Sequence, residues 1–440
     1  MLTEKDFEVK TLGESTVISP LELSTIRGDG IVNFVEETNK ILYQVKLTDE
    51  SQDSNLYFES AGPRKKIFFK PDEVKAAVMT CGGLCPGLNN AIRSIVMQLY
   101  YKYNVKNIYG IQFGQKGLDP SSGYDLIELS PKTVVKIHES GGSFLGTSRG
   151  KVDPEIIVDS LIKYGINILL CLGGDGTQRG LHSIYEVIQK RKLKISVVGL
   201  PKTIDNDINF VHKTFGLDSA VTVAKEAVRS AHCEAESAYN GIGLVKVMGR
   251  HSGFIAALTT LANNDVNFCL IPEVKFELHG KGAFLEILEK RLENRHHAVI
   301  VVSEGSGQEL LKDEKGVKTY DASGNIRLGD IGIFLKNKII EYFKERKIPV
   351  DLKYIDPSYM IRSVPTNAND SIFAAELGRL SVDAAMAGKT DMLIGYWHGC
   401  FTHVPLPLAT SARKQVNPEG ELWREVLSTT GQPVSLKAHK

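Results

Sequence analysis

One local pattern constrains this chain more than any other: a short apolar run ends in glycines and leads into an amphipathic segment. Residues 74–80 read VKAAVMT, and CGGLCPG follows at once. The next sixteen residues, LNNAIRSIVMQLYYKY, place Ile92, Ile95, Val96 and Leu99 on one helical face. All or part of this order of apolar run, glycine turn and amphipathic segment recurs in residues 166–192, 194–207, 241–262, 297–307 and 391–397.

Strands that alternate with helices favour parallel sheets covered by helices on both faces. The 440 residues and 42% hydrophobic content allow two or three domains, and the number of repeated units predicts two. We therefore predict an α/β fold of two Rossmann-like parallel-sheet domains with an N-terminal extension. The predicted domains are an extension at 1–73, one domain at 74–214 with a returning segment at about 363–410, a second domain at 215–362, and a C-terminal segment at 411–440.

Charge and composition exclude several classes of protein. The chain has 53 basic and 52 acidic residues, so its net charge of +1 gives no reason to expect a nucleic-acid or membrane partner. No run approaches the ~20 apolar residues of a membrane span, and the charged start does not resemble a signal peptide. The six cysteines form no C-x-x-C pair, which indicates free or buried thiols in a reducing cytoplasm rather than a zinc site.

Two glycine-rich loops follow predicted strands, where open α/β sheets bind their ligands. GGLCPG (82–87) would turn backbone N–H groups and a helix N-terminus toward an anion. The alternative is a glycine corner between a strand and a helix. In GGDGT (173–177) the glycines allow a phosphate chain to approach, and Asp175 is placed for Mg²⁺. Its alternative is an aspartate that caps the following helix.

The segment PKTIDND (201–207) supplies two carboxylates two residues apart, Asp205 and Asp207. A sugar hydroxyl becomes a good nucleophile when a carboxylate within hydrogen-bond reach accepts its proton. The second carboxylate would orient the first or assist the metal. The alternative is an acidic surface turn.

Three further strand ends carry charged residues suited to a sugar phosphate: Arg250 in MGRHSG, Glu304 in SEG and Arg362 in YMIR. Each is ordinary on its own. Together the motifs supply a glycine loop with an acid for the metal, a loop with a carboxylate base, and two loops with an arginine. This combination indicates phosphoryl transfer, which depends on positioning and charge neutralisation.

These motifs, in their order along residues 74–399, resemble those of the 6-phosphofructokinase family: GGLCPGLNNAIR, GTSRG, GGDGTQRG, PKTIDND, MGRHSGFIA, IPE, SEG and DPSYMIR. The details look most like the branch that includes plant and trypanosomatid ATP-dependent enzymes. The resemblance implies phosphorylation of fructose 6-phosphate by ATP with Mg²⁺, the committing step of glycolysis. It also implies small-molecule substrates only, a homodimer or homotetramer, and a cytoplasmic location.

The resemblance also implies a role for each site residue. Asp205 would be the general base for the 1-hydroxyl, Thr203 would contact the transferring phosphoryl group, Asp175 would hold Mg²⁺, and Arg250 would neutralise transition-state charge. The residues implied to bind the sugar phosphate are Thr203, Ile204, Asp205, Met248, Gly249, Arg250, Glu304, Tyr359, Met360, Ile361 and Arg362. Those implied to bind the nucleotide phosphates are Gly83, Arg149, Gly150, Gly174, Asp175, Gly176 and Thr177.

The chain departs from bacterial ATP-dependent members at three positions. Gly241 stands where those enzymes generally have an arginine, Tyr359 where they have a histidine, and Lys353 where they have an arginine. The sugar-phosphate clamp must therefore differ from theirs, and the bacterial effector site cannot be transferred to this chain. No set of residues predicts a regulator.

Two positions bear on the phosphoryl donor. Pyrophosphate users commonly read GGDD and PKTIDND, whereas most bacterial ATP users read GGDG and PGTIDND; this chain combines Gly176 with Lys202. An aspartate at 176 would repel the α-phosphate of ATP by ~1–4 kcal/mol at a few ångströms, and glycine removes that obstacle. Lys202 helps a phosphate bind without excluding ATP. We therefore predict ATP as the donor, with pyrophosphate as the alternative.

Other classes fit the motifs less well. Lipid kinases and NAD kinases share GGDGT but lack the joint presence of TIDND and MGR. A catalytically silent homologue would have lost the base or the metal acid, and both Asp205 and Asp175 are present. A Rossmann dehydrogenase would need the dinucleotide glycine fingerprint, which is absent from the sequence.

Overall fold

The computed structural model describes residues 2–46, 56–314 and 327–439. The polar stretch 47–55 of the predicted extension lies outside the described residues. The strands are β1 Lys10–Thr11, β2 Val17–Ile18, β3 Lys40–Leu42, β4 Tyr57–Ser60, β5 Lys66–Ile67, β6 Lys75–Thr80, β7 Asn107–Ile111, β8 Ile127–Glu128, β9 Ile168–Gly173, β10 Ser196–Pro201, β11 Gly241–Val247, β12 Phe268–Leu270, β13 His297–Ser303, β14 Asp351–Ile355, β15 Lys389–Thr390, β16 Met392–Trp397 and β17 Cys400–Pro405. The helices are α1 Leu88–Met97, α2 Pro154–Tyr164, α3 Asp175–Lys190, α4 Leu217–Ser237, α5 Phe254–Asn263, α6 Phe284–Arg295, α7 Ile331–Glu345, α8 Ala368–Met386, α9 Leu406–Ala409 and α10 Glu421–Thr430.

The chain divides into two compact units, each assembled from separate stretches of sequence. Unit 1 comprises Met1–Thr203, Ile208–Gly216 and Ser363–Arg413. Unit 2 comprises Ile204–Asp207, Leu217–Arg362 and Lys414–Lys440.

Unit 1 is built on a nine-stranded sheet in the order β3-β4-β17-β16-β10-β9-β6-β7-β8. The five strands from β16 to β7 run parallel, and the outer strands β8, β17, β4 and β3 each pair antiparallel with their neighbours. Every residue of β9 and β10 is buried, as expected for central strands covered on both faces. The predicted helical face that follows β6 is also buried, including Ile92, Ile95 and Val96 of α1.

The N-terminal region is part of this unit. Strands β3 and β4 extend the sheet beyond β17, and the ring of Phe7 lies 4.8 Å from that of Phe58 in the core. Arg64, which is 3% exposed, donates to Glu59 at 2.9 Å, and Lys389 pairs with the same carboxylate at 2.9 Å. The extension is therefore fixed to the α8–β15 turn by buried charges as well as by apolar packing.

Unit 2 is built on a four-stranded, entirely parallel sheet in the order β12-β13-β11-β14. Alternate residues of β11 face opposite layers. A Cβ on Gly243 would lie 2.6 Å from the Ala231 carbonyl oxygen of α4. Its neighbours Ile242 and Leu244 pack instead in a core with residues of α6 and α7. The sheet is thus covered on both faces, and the predicted α/β class is confirmed.

The six cysteines, all within the described residues, are free thiols; four are buried, and Cys233 and Cys400 are exposed. Within residues 2–46, 56–314 and 327–439, none of the helices combines the length and hydropathy of a membrane-crossing segment.

Candidate active site

In unit 1, three neighbouring parallel strands end at the same edge of the sheet. Leu172 pairs with Thr80 on one side and with Leu200 on the other, so β6, β9 and β10 finish almost level. The loops that follow them begin at Cys81, Gly174 and Lys202. The structure therefore brings the two glycine loops predicted to bind donor phosphates together with the start of the PKTIDND loop within this unit.

The first loop holds a left-handed backbone at Gly82, with φ of +85°. The Gly82 N–H donates to Ser148 O at 3.1 Å, and the Thr147 hydroxyl donates to Gly82 O at 2.7 Å. These bonds place the exposed residues Arg149 and Gly150 in a segment fastened to the glycine loop. Gly83, Arg149 and Gly150, predicted together as phosphate contacts, thus belong to one local structure.

Lys202 lies at the centre of this arrangement. It is 5% exposed, its backbone N–H donates to Gly173 O at 3.1 Å, and its ammonium donates to Gly83 O at 2.7 Å. The positive charge is therefore held against the backbone of the first glycine loop. It touches both loops that were predicted to carry donor phosphates.

The GGDGT loop contains glycines of two kinds. A Cβ on Gly173 would lie 2.2 Å from the Thr177 side chain, so only glycine fits there. Gly174 is the N-cap of α3 with extended backbone. Gly176 lies in the first turn of that helix, and a Cβ there would meet no atom within 4 Å. Space, rather than backbone geometry, distinguishes Gly176.

The Asp175 carboxylate is buried at the N-terminus of α3 and contacts two arginines. Its Oδ1 lies 3.0 Å from Arg179 Nη2, and its Oδ2 lies 3.5 Å from Arg413 Nε. The sequence reading missed both arginines. Arg179 lies four residues after Asp175 on α3, a spacing at which helical side chains meet, so the sequence could have indicated this contact. No local pattern in the sequence indicates the contact with Arg413.

The residues fit a magnesium ion that arrives with a phosphorylated donor. A buried carboxylate oxygen at a helix start is a hard ligand, and Mg²⁺ commonly takes one or two carboxylates together with phosphates and water. Among the described residues, no group of three or more His, Cys, Asp or Glu side chains could hold a metal by itself.

PKTIDND is divided between the units. Thr203 closes the first stretch of unit 1, where its carbonyl accepts a bond from the Thr214 hydroxyl at 2.7 Å. Residues 204–207 belong to unit 2, with Ile204 buried and Asn206 in a left-handed conformation at φ of +53°. In unit 2 the Ser252 hydroxyl donates to Asp205 O at 2.7 Å. This bond fixes the backbone of the predicted base to the Arg250 loop.

In unit 2 the parallel strands β13, β11 and β14 present a second carboxyl edge. Val247 pairs with Ser303, and Val245 pairs with Ile355. The loops that follow contain Met248–Gly253, Glu304 and Tyr359–Arg362. The sequence-predicted sugar-phosphate residues of these loops are thus gathered at one edge of this unit.

Close backbone packing shapes the Arg250 loop. Gly249 has φ of +125°, and a Cβ there would lie 2.5 Å from both Ser252 O and Ser303 Oγ. A Cβ on Gly305 would lie 2.0 Å from Arg250 O. The Ser303 hydroxyl donates to Gly249 O at 2.6 Å. The Arg250 and Glu304 loops are therefore locked together by their backbones.

Charges of opposite sign surround Glu304. Burial raises the pKa of its carboxyl above the ordinary value, while Arg250, Lys246 and Arg362 oppose that rise. Lys246 is itself paired with Asp356 at 2.8 Å. A carboxylate with a raised pKa among cations can hold hydroxyl groups while the arginines hold a phosphate.

The YMIR segment forms a short 3-10 helix at Met360–Arg362. The Arg362 guanidinium lies 4.9 Å from the ring centroid of Tyr359. Tyr359 and Met360 are 72% and 64% exposed, whereas Ile361 is fully buried. Exposed side chains at 359 and 360 suit contact with a ligand, while Ile361 anchors the segment.

Glu273, in the IPE motif, was not assigned a role from the sequence. Its Oε1 accepts bonds from the Gly253 and Val416 N–H groups at 2.9 and 2.8 Å. Its Oε2 is buried and has no hydrogen-bond partner among the described residues. Burial raises the pKa of this carboxyl despite the backbone bonds that it accepts. The IPE motif identified Glu273 in the sequence, but its contacts are visible only in the folded structure.

Comparison with known proteins agrees with the geometry. The phosphofructokinase family model matches residues 75–385. The chain is 52% identical over 440 residues to the ATP-dependent 6-phosphofructokinase of Borreliella burgdorferi, covering 98% of both chains. It is 48% identical over 378 residues to ATP-dependent 6-phosphofructokinase 7 of Arabidopsis thaliana, covering 86% of this chain and 77% of the relative.

Solved structures share the fold. The pyrophosphate-dependent phosphofructokinase of Marinobacter aquaeolei aligns with a TM-score of 0.67 over 81% of this chain and 91% of its own, at 19% identity. At that identity the likeness concerns the fold alone. The relative that matches over 98% of both chains and the family match over most of this chain show that it belongs to the phosphofructokinase family.

Proposed function

We propose that this chain is an ATP-dependent 6-phosphofructokinase, which transfers the γ-phosphoryl group of Mg-ATP to the 1-hydroxyl of fructose 6-phosphate. The observation that carries the proposal is the open space at Gly176 beside a buried Asp175, at the start of α3. This open position is where the α-phosphate of ATP would pass.

Unit 1 would hold the donor. The glycine loop at Gly83, the segment Arg149–Gly150 and the residues Gly174–Thr177 would bind its phosphates through backbone N–H groups and one guanidinium. Asp175 would hold Mg²⁺ and share its charge with the two arginines that it contacts. When bound, Mg²⁺ would neutralise charge that develops on the phosphates during transfer.

Unit 2 would hold the sugar phosphate and supply the base. Asp205 would accept the proton of the 1-hydroxyl as the new O–P bond forms. Arg250 and Arg362 would bind phosphate oxygens, and Glu304 would bind sugar hydroxyls. Ile204 and Ile361 are buried, so any contact that they make with the sugar phosphate would come from their backbones. Thr203 would meet the transferring group beside the base.

Pyrophosphate is the second candidate donor, and Lys202 favours it. Its buried ammonium against the Gly83 carbonyl offers a fixed positive charge next to the glycine loop. The curated relatives named ATP-dependent, at 52% and 48% identity, support ATP. Lys202 therefore serves as a phosphate contact that is compatible with ATP.

A coupled assay decides between the donors. The purified protein would be given fructose 6-phosphate and either Mg-ATP or Mg-pyrophosphate, and fructose 1,6-bisphosphate would be measured through aldolase. We expect turnover with Mg-ATP. Turnover with pyrophosphate and none with ATP would overturn the donor assignment, and absence of turnover with both would overturn the proposal.

We also propose a homodimer or homotetramer in the cytoplasm, from the family resemblance. Multi-angle light scattering of the purified chain tests the assembly, and a mass of one chain, 48.5 kDa, would contradict it. Fractionation of cells that express the tagged protein tests the location.

A further inference from the structure

A short segment near the C-terminus connects three loops of unit 2. We call residues 414–416 the C-terminal strap. Each strap residue bonds to a different loop: Lys414 N–H to Asp207 O at 3.0 Å, Gln415 Nε2 to His251 O at 2.9 Å, and Val416 N–H to Glu273 Oε1 at 2.8 Å.

The side chain of Lys414 reaches the start of α5. Its Nζ lies 4.9 Å from the ring centroid of Phe254, the first residue of α5 and hence directly after the Arg250 loop. Burial lowers the pKa of the Lys414 amine to about 7, and the negative charge of Asp207 opposes the decrease. In its cationic form this amine lies over an aromatic face, a contact that strengthens when the cation is desolvated.

The two connected loops must keep their relative position for phosphoryl transfer. Asp205 has to reach the hydroxyl proton while Arg250 holds phosphate, and a misplacement of ~1 Å can cost about 10²-fold in rate. The Ser252–Asp205 bond also links them directly. The strap is distant in sequence from both loops and contributes a backbone bond to one and a side-chain contact to the other.

We propose that Lys414 is a positioning residue for phosphoryl transfer. Its backbone holds the Asp205–Asp207 loop, and its side chain holds the start of α5, so that the base and Arg250 keep one geometry. The inference rests on the proposed function. Since Lys414 positions the reacting groups rather than binding the sugar, its loss should lower kcat more than it raises the KM for fructose 6-phosphate.

The test compares Lys414→Met, which keeps the length of the side chain, with Lys414→Arg, which also places a charge over Phe254. Lys437→Met, at an exposed lysine of the same C-terminal stretch, is the matched control. We expect kcat of Lys414→Met to fall by about 10- to 100-fold, with the KM for fructose 6-phosphate within about threefold. Lys414→Arg should recover most of the loss, and the control should equal wild type.

Wild-type turnover is measured first, because inactivity with both donors refutes the proposed function rather than the role of Lys414. A Lys414→Met enzyme with wild-type kcat would overturn the inference, as would a KM increase without loss of kcat or an arginine variant as impaired as the methionine variant. If Lys414→Met does not fold, Phe254→Leu replaces it. This variant keeps an apolar residue but removes the ring, and unchanged kcat would then overturn the inference.

Discussion

The two carboxyl edges use glycine for opposite purposes. In unit 1, Gly176 occupies ordinary helical backbone next to open space, where a Cβ would meet nothing within 4 Å. In unit 2, Gly249 has a left-handed backbone, and a Cβ would be 2.5 Å from two neighbouring oxygens. The Cβ position of one glycine is open, whereas the other glycine lets two parts of the chain approach each other closely.

The two edges also differ in the groups that carry their charge. Asp175 of unit 1 is paired directly with arginines, and the rest of its loop offers backbone N–H groups. Unit 2 instead presents Arg250, Glu304 and Arg362 from three different strand ends. The edge of unit 1, with its backbone N–H groups and open space, suits a long phosphate chain with its metal. The edge of unit 2, with its charged side chains, suits a sugar phosphate and its proton transfer.

The largest expected effect concerns the side-chain edge. Asp205→Ser should reduce kcat by about 10² to 10⁴, the usual contribution of a general base. The KM for fructose 6-phosphate should change little, because the arginines remain. Steady-state kinetics with Mg-ATP measures both quantities.

Asp265→Ser, at an exposed aspartate of the same unit, is the control for that experiment and should keep wild-type turnover. Near-normal turnover of Asp205→Ser would remove this residue from the chemistry. The side-chain edge would then hold substrate without supplying the base.

Alanine at each glycine tests the contrast directly. Gly249→Ala should destabilise the fold by about 2–4 kcal/mol, because both its backbone angle and its neighbours oppose a side chain. Gly176→Ala should be neutral or gain up to ~1 kcal/mol, the usual preference of a helix for alanine. Urea unfolding of both variants measures the difference, and equal stabilities would invalidate the distinction between space and close packing.

Gly176→Asp tests what the space is for. The new carboxylate should oppose the α-phosphate of ATP by ~1–4 kcal/mol and lower kcat/KM for ATP by about tenfold or more, without loss of stability. The KM for fructose 6-phosphate should not change. Unchanged ATP kinetics would show that the open space does not accommodate the nucleotide.

Much of this arrangement was predictable because strand ends and glycine loops leave strong local signals. The apolar runs predicted β6, β9, β10, β11, β13 and β16, and parallel pairing follows from the helices between them. The motifs also placed Asp175, Arg250 and Glu304 at carboxyl ends, since those residues come directly after buried strands.

The contacts between distant segments could not be predicted. Nothing in the residues around Arg413 or Lys414 indicates that one contacts Asp175 and the other the Asp207 backbone, because such pairs depend on tertiary packing rather than local pattern. The motifs assign both Gly176 and Gly249 to ligand loops. Only the neighbours of each Cβ show that the space at Gly176 is open and that Gly249 is closely packed.

The smallest expected effect concerns Glu304 and Asp175, the acids of the two carboxyl edges. Their negative charges should change the stability of the fold in opposite directions. Burial gives native Glu304 a pKa above the 4.5 of an ordinary glutamate, so the folded state holds this proton more tightly than the unfolded state. Ionisation of Glu304 therefore lowers the free energy of unfolding as pH rises from about 4 through the raised pKa. Below that range the carboxyl is protonated in both states, and this loss of stability is absent.

Glutamine at 304 avoids this cost because it stays neutral, so Glu304→Gln should gain stability relative to wild type as pH rises from about 4 to 7. Asp175→Asn should lose about 1 kcal/mol at pH 7 instead, since it gives up its pairing with two arginines. Urea unfolding at several pH values, with the exposed Glu309→Gln as control, measures both. A Glu304→Gln variant that follows the control at every pH would show that Arg250, Lys246 and Arg362 compensate the buried charge completely.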